Sequence, residues 1–114
     1  MSEVEEQDYI AAESYLSLLY GEKKVSKLIT RLISAPIQEF KGKDIFRASL
    51  LSLLGVSNFH VDKDRKKINK GKGLSPILLV RDTENGKVVI ADGYHRLCAA
   101  YEVDEDAWIQ CKII

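Results

Sequence analysis

The stretch of sequence that decides the fold is SPILLVRDTENGKVVIADGYHRL, at residues 75–97. It holds two apolar runs, at residues 77–80 and 88–91, with a polar segment between them. The continuous apolar run at residues 77–80 is typical of a strand that is covered on both faces, and residues 88–91 are expected to form its return strand. Asn85-Gly86 favours a hairpin between the runs, because both positions of a tight hairpin turn prefer positive φ. The stretch therefore predicts two antiparallel strands that lead into a turn at Asp92-Gly93.

The residues after this turn predict one more helix and one more strand. A helix is expected from Tyr94 to about Glu102, with Leu97, Ala100 and Tyr101 facing inward. Residues 107–114 alternate between two faces, as a strand does. Cys111 lies on the face of this strand that carries the isoleucines.

The first half of the chain predicts helices. Asp8 is a candidate cap for a largely buried helix that runs to about Tyr20, and Gly21 ends it. A stripe at a period of 3.6 residues predicts the second helix, and Pro36 prevents its continuation. The stripe consists of Val25, Leu28, Ile29, Leu32 and Ile33. A third helix is expected over residues 43–54, and a short polar helix over residues 62–70, before Gly71 and Gly73.

The predicted order of elements gives the fold class. Helices come first, and a small mixed sheet with one inserted helix follows, which is the ordering of an α+β protein. At 114 residues the chain is expected to be a single domain, because neither half has enough residues for a good core of its own. Residues 1–58 form the helical portion in this scheme, and residues 59–114 carry the sheet.

One constellation carries chemistry, at residues 92–96. Asp92-Gly93-Tyr94-His95-Arg96 joins the end of a strand to the start of a helix, where unpaired backbone N–H groups and the positive end of the helix dipole favour anions. Gly93 would let a ligand approach the backbone, and His95 and Arg96 add donors. The same pattern also fits a helix capped by Asp92, with a locally satisfied histidine and an exposed arginine.

Residues 59–114 resemble the ParB/sulfiredoxin superfamily. The resemblance rests on Ser75-Pro76-Ile77-Leu78-Leu79-Val80, on the hairpin, on the Gly93-Tyr94-His95-Arg96 turn with its alanine-rich helix, and on the closing strand. The pattern is also similar to a widespread bacterial family of small proteins. The resemblance implies that the turn holds nucleotide phosphates, of ATP or CTP with magnesium, with Gly93 admitting them and His95 and Arg96 binding their oxygens.

The resemblance also limits the chemistry that is expected. Sulfiredoxins have a cysteine at the position of Tyr94, and a phenol with a pKa near 10 does not replace a thiolate. Cys98 lies about one helical turn further on and does not restore the motif. The triphosphate motif and the DNA-binding domain that go with ParB proteins have no counterpart in this sequence. The reaction is therefore unassigned, and whether the chain is an enzyme stays open.

Charge and composition leave two alternatives to phosphate binding. The chain has 17 basic and 17 acidic residues, so its formal net charge is zero. One alternative is a non-enzymatic interaction protein whose helical half binds a partner. The other is a nucleic-acid binder that uses the basic run at residues 63–72, although the neutral charge disfavours it. Neither alternative fixes an oligomeric state.

The remaining candidate residues favour structural roles. Cys98 and Cys111 do not make a disulfide framework, and reduced thiols in a cytoplasmic protein are expected. No segment predicts a membrane span or a secretory signal. His60 could face the same cleft as His95, and with Asp62 and Asp92 could in principle hold a metal, but no close-spaced ligand pair supports a metal site. Trp108 could stack a base, or be a partly buried packing residue.

Overall fold

The computed structural model describes residues 3–51 and 75–114. The described part is an α+β fold, as predicted, with a four-stranded mixed sheet. In chain order the elements are α1 (Glu6–Leu16), α2 (Glu22–Ser34), β1 (Gln38–Lys41), α3 (Gly42–Ser49), β2 (Ile77–Asp82), β3 (Lys87–Asp92), α4 (Tyr94–Val103) and β4 (Trp108–Ile113). None of the helices in the described ranges is long and apolar enough to cross a membrane.

The sheet has the strand order β1-β4-β2-β3. β4 runs antiparallel to β1 and parallel to β2, and β2 and β3 form the antiparallel hairpin. The two central strands, β4 and β2, both come from the second half of the chain, and the second apolar run forms the edge strand β3. The edge strand β1 was not predicted, because only Phe40 among its four residues is apolar.

Helices cover both faces of the sheet. On one face α1 and α2 pack against β2 and β3, through a core that includes Leu16, Leu32, Leu78 and Val89. On the other face α3 and α4 pack against a core that includes Leu97. Successive residues of β2 alternate between these two cores, and residues 77–80 are all buried. The prediction of a doubly covered strand is therefore confirmed.

The hairpin forms at the predicted place but with a longer loop. The strand pair closes at Asp82 opposite Lys87, so four residues form the connection. Gly86 has φ +63°, whereas Asn85 is not among the residues with positive φ. The Asn85 side chain donates to the Asp82 carboxylate at 2.8 Å. A four-residue loop therefore takes the place of the tight two-residue turn that Asn-Gly predicts. In this loop the contact with Asp82 stabilises Asn85 without positive φ.

The first two helices differ in how well the sequence predicted them. In α2 the stripe is confirmed except for Ile33, which is 54% exposed. The prediction of a largely buried first helix that ends near Tyr20 was wrong. Helix α1 ends at Leu16, and its buried residues, Asp8, Ala12 and Leu16, follow one another at intervals of four along a single face. Leu18 beyond its end is 81% exposed.

The third helix is shorter than predicted in its described part. α3 ends at Ser49, because Leu50 adopts a left-handed conformation with φ 60°. Residues 52–54, the predicted polar helix at residues 62–70 and the basic run at residues 63–72 lie outside the described residues. The fourth helix and the last strand are confirmed within one or two residues of their predicted ends.

Candidate functional site

The candidate site is the corner at which β3 passes into α4. Gly93 is the N-cap residue of α4 and has φ +103°. A Cβ at this position would lie 2.8 Å from Ile77 Cβ, closer still to Ile77 Cγ2, and 2.9 Å from Arg96 Nη2. Ile77 and Arg96 therefore fill the space that a side chain at position 93 would occupy.

The guanidinium of Arg96 is held by groups of the protein itself. Its Nη2 donates to Asp92 Oδ2 at 3.0 Å and to the carbonyl of Pro76 at 3.4 Å. Its Nη1 donates to Asp8 Oδ1 at 3.5 Å. The Arg96 side chain is only 18% exposed, and its Nε is buried without a hydrogen-bond partner. The interpretation with an exposed arginine was therefore wrong, and Arg96 joins strand, helix and α1 at this corner.

Asp8, Asp92 and Arg96 form one cluster of charged side chains. The sequence predicted only a capping role for Asp8. It is the third residue of α1, where its carboxylate accepts a hydrogen bond from the Glu5 backbone N–H at 3.3 Å in a capping box. Its other oxygen contacts Arg96. The N-cap of α1 is Glu5, so the prediction that Asp8 is the cap residue was wrong by three positions. Nothing in the local sequence signals the contact between Asp8 and Arg96, which are 88 residues apart.

Asp92 does not cap α4. The N-cap position belongs to Gly93, which has no side chain, and the Asp92 carboxylate instead binds Arg96. Burial raises the pKa of Asp92, and Asp8 raises it further, while Arg96 opposes both effects. Two carboxylates therefore share a single guanidinium in a partly buried cluster, which makes ionisation of Asp92 costly.

Replacing Asp92 with asparagine is expected to change how stability depends on pH. The pKa of Asp92 is raised above its ordinary value of 3.8, so the folded state binds this proton more tightly than the unfolded state. The resulting stabilisation is complete below the ordinary pKa and is lost as the pH rises through the raised pKa. Asp92→Asn should therefore gain stability relative to the wild type as the pH is raised toward neutral. Urea unfolding at a series of pH values measures this difference in stability. A difference that does not vary with pH would contradict a raised pKa of Asp92 in the folded protein.

Tyr94 and His95 occupy the first turn of α4 next to Arg96. The Tyr94 ring packs edge-on against Phe46, with 6.4 Å between centroids, and lies 5.9 Å from the His95 ring. Burial raises the pKa of Tyr94, and the hydrogen-bonded thiol of Cys98 raises it further. Tyr94 is therefore a neutral phenol that packs against Phe46 and contacts Cys98.

The first turn of α4 retains the properties of an anion site. The first hydrogen bond of its ladder runs from Leu97 N–H to the Gly93 carbonyl at 2.9 Å, so the N–H groups of residues 94–96 have no acceptor within the helix. No side chain caps them from the N-cap position, and the first turn contains no acidic residue. The structure thus brings together the five predicted residues 92–96, but divides them between two roles. Asp92 and Arg96 bind each other. The backbone N–H groups of residues 94–96 and the side chain of His95 are the donors of the first turn of α4.

Other predicted candidates have different surroundings. Cys98 and Cys111 are both buried, and neither forms a disulfide. Burial raises the pKa of Cys111 to about 11, so it is a thiol near neutral pH. Trp108 is 62% exposed, so the interpretation as a partly buried packing residue was wrong. His60 and Asp62 lie outside the described residues.

An open groove of about 490 Å³ lies elsewhere, between the end of α1 and the start of α2. Its lining consists of Glu13, Ser17, Tyr20, Gly21, Glu22, Val25 and Ser26. The two glutamates make this groove unsuitable for an anion. It is therefore separate from the candidate site in both position and charge.

Comparisons of the chain with protein-family models, with curated proteins and with solved structures found no match.

Proposed function

We propose that the chain binds a nucleotide or another phosphate ligand at the first turn of α4. The observation that carries this proposal is a helix start with no side-chain cap and no acidic residue, directly after a glycine with φ +103°. Oriented N–H groups and the helix dipole are the usual means by which a helix N-terminus binds phosphate. The proposed location is also the one that the resemblance of residues 59–114 to the ParB/sulfiredoxin superfamily implies.

The residues of the turn would divide the work of binding. The N–H groups of residues 94–96 would donate to phosphate oxygens, and His95 would add a side-chain donor from the same turn. Arg96 would act as a positioning residue, because its guanidinium is already bound by Asp92 and by the carbonyl of Pro76. The two carboxylates offset its positive charge, so the backbone N–H groups and the helix dipole provide the attraction for an anion.

Magnesium is not well matched to the described residues of this turn. Among the described residues, the carboxylates of Asp8 and Asp92 lie at this corner, and both are bound by Arg96. No cluster of three or more metal-ligating side chains occurs within residues 3–51 and 75–114. Binding of a phosphate by backbone N–H groups does not require the ion, so magnesium enters the test as a variable.

Calorimetric titration with ATP, CTP and inorganic phosphate, each with and without magnesium, tests the proposal. The informative variant is His95→Glu, which places a negative charge in the first turn of α4. We expect it to weaken binding roughly tenfold or more, because a charge at a helix terminus and close to the ligand contributes about 1–2 kcal/mol. Thr30→Glu makes the same change of charge on the exposed side of α2 and serves as the control. Absence of binding at millimolar ligand, or equal weakening in both variants, would refute the proposal.

A second candidate function, a non-enzymatic interaction protein, is favoured by exposed apolar side chains at the end of α1. Tyr15, Leu18 and Leu19 are 41%, 81% and 49% exposed. Adjacent exposed apolar residues are typical of surfaces that bind a protein partner. A pull-down that compares the wild type with the double variant Leu18→Asp and Leu19→Asp tests this surface. A partner that both forms retain equally would count against it.

A further inference from the structure

β1 is the terminal strand of the sheet and is paired along one side with β4. On its other side, no strand lies beside it among residues 3–51 and 75–114. An edge strand presents a row of backbone donors and acceptors that can pair with another strand.

The register shows which residues of β1 direct their backbone groups outward. Gly42, which follows β1, donates its N–H to the carbonyl of Ala107 at 3.0 Å, so its backbone faces β4. Along an antiparallel strand, successive residues direct their N–H and C=O groups to alternate sides. The backbone N–H and C=O groups of Gln38 and Phe40 therefore also point toward β4. Those of Glu39 and Lys41 point to the outer edge.

The side chains at these two positions are oppositely charged. If a second copy paired antiparallel with this edge, about a two-fold axis at Phe40, Glu39 of each copy would lie opposite Lys41 of the other. Residues that directly oppose each other in this way exchange two backbone hydrogen bonds. Their side chains project to the same face, where opposite charges stabilise a cross-strand pair and like charges destabilise it. The edge is therefore complementary to itself in both hydrogen bonding and charge.

Trp108 adds to the same surface. It is 62% exposed and lies directly opposite Lys41 in the register of β1 and β4. The Nζ of Lys41 lies 5.5 Å from the centroid of the indole ring, so the aromatic ring and the lysine form one row across the sheet. Glu39 of a second copy would extend this row by one strand. Tryptophan is more frequent in protein interfaces than on the rest of the protein surface.

We propose that two copies of this chain associate through their β1 strands into a continuous sheet. The pairing is antiparallel and two-fold symmetric, with Glu39 opposite Lys41 at both ends of the joint. A symmetric interface of this kind uses the same surface patch on both subunits. This association does not depend on phosphate binding at α4, because the two surfaces involve different residues.

Sedimentation equilibrium of the full chain, with charge-reversed variants, tests this pairing. The wild type is expected to dimerise with increasing concentration. Glu39→Lys and Lys41→Glu each place like charges opposite one another at both ends of the joint. Each variant loses two attractive pairs and gains two repulsions. At about 0.5 kcal/mol for each of these four changes, association should weaken roughly thirtyfold.

Complementation separates this interface from loss of folding. An equimolar mixture of Glu39→Lys and Lys41→Glu should form a heterodimer, because every lysine then faces a glutamate. The double variant Glu39→Lys and Lys41→Glu should again form a homodimer. A monomeric wild type at all concentrations, a dimer that both single variants retain, or single variants that do not associate when mixed would each overturn the proposal.

Discussion

Replacing Gly93 with alanine is expected to lower the free energy of unfolding by about 3 kcal/mol, because two independent costs add at this position. The first cost is conformational, since φ is +103° and a Cβ is disfavoured there. The second is steric, because the new methyl group would lie 2.8 Å from Ile77 Cβ and 2.9 Å from Arg96 Nη2. Urea unfolding monitored by circular dichroism measures the loss.

Gly86→Ala provides the matched control for this variant. Gly86 also has positive φ, at +63°, but nothing lies within 4 Å of a Cβ built there. Only the conformational cost applies, which predicts a loss of about 1 kcal/mol. If the two alanine variants lost the same stability, the close packing of Ile77 and Arg96 against Gly93 would be disproved.

Replacing Arg96 with methionine is expected to cost about 3 kcal/mol, because it leaves two partly buried carboxylates without their cation. The side chains of Asp8 and Asp92 are 9% and 17% exposed, so water compensates little for the lost charge. Urea unfolding at neutral pH measures the loss. The additional change Asp92→Asn should recover part of it, because one of the two unpaired charges is then removed.

Lys43→Met is the control for the loss of Arg96. The ion pair between Lys43 and Asp106 has an N···O distance of 2.8 Å, but its side chains are 43% and 53% exposed. Water screens an exposed pair, so its loss should cost much less stability than the loss of Arg96. If Arg96→Met cost no more than Lys43→Met, the cluster of Asp8, Arg96 and Asp92 would not stabilise this corner.

The parts of the fold that the sequence predicted are those with a local physical signal. The apolar run at residues 77–80 predicted a doubly covered strand, because only such a strand buries every successive side chain. The stripe in α2 predicted its buried face for the same kind of reason. In contrast, β1 has one apolar residue in four, and its pairing with β4 spans about seventy positions of the chain. Local periodicity contains no information on such a pairing.

The candidate site was predictable to a similar extent. The turn at residues 92–96 follows from the end of a strand, a glycine and the start of a helix, which are adjacent in the sequence. The hydrogen bonds that hold the Arg96 guanidinium could not be predicted from the local sequence. Asp8 comes from the other end of the chain, and the Pro76 carbonyl is a backbone group. Glycine at position 93 was predicted to admit a ligand. Its close neighbours in the structure, Ile77 and Arg96, could not be predicted from the local sequence.

The most direct test of the proposed function is a ¹H–¹⁵N NMR titration of the full chain with ATP and with inorganic phosphate. Hydrogen bonding to phosphate oxygens shifts the amide resonances of the donors, so each residue reports on its own contact. Binding at the first turn of α4 predicts saturable shifts centred on the amides of Tyr94, His95 and Arg96, with smaller changes in α2. Amides of these three residues that do not move, or shifts centred on another part of the chain, would contradict the proposal.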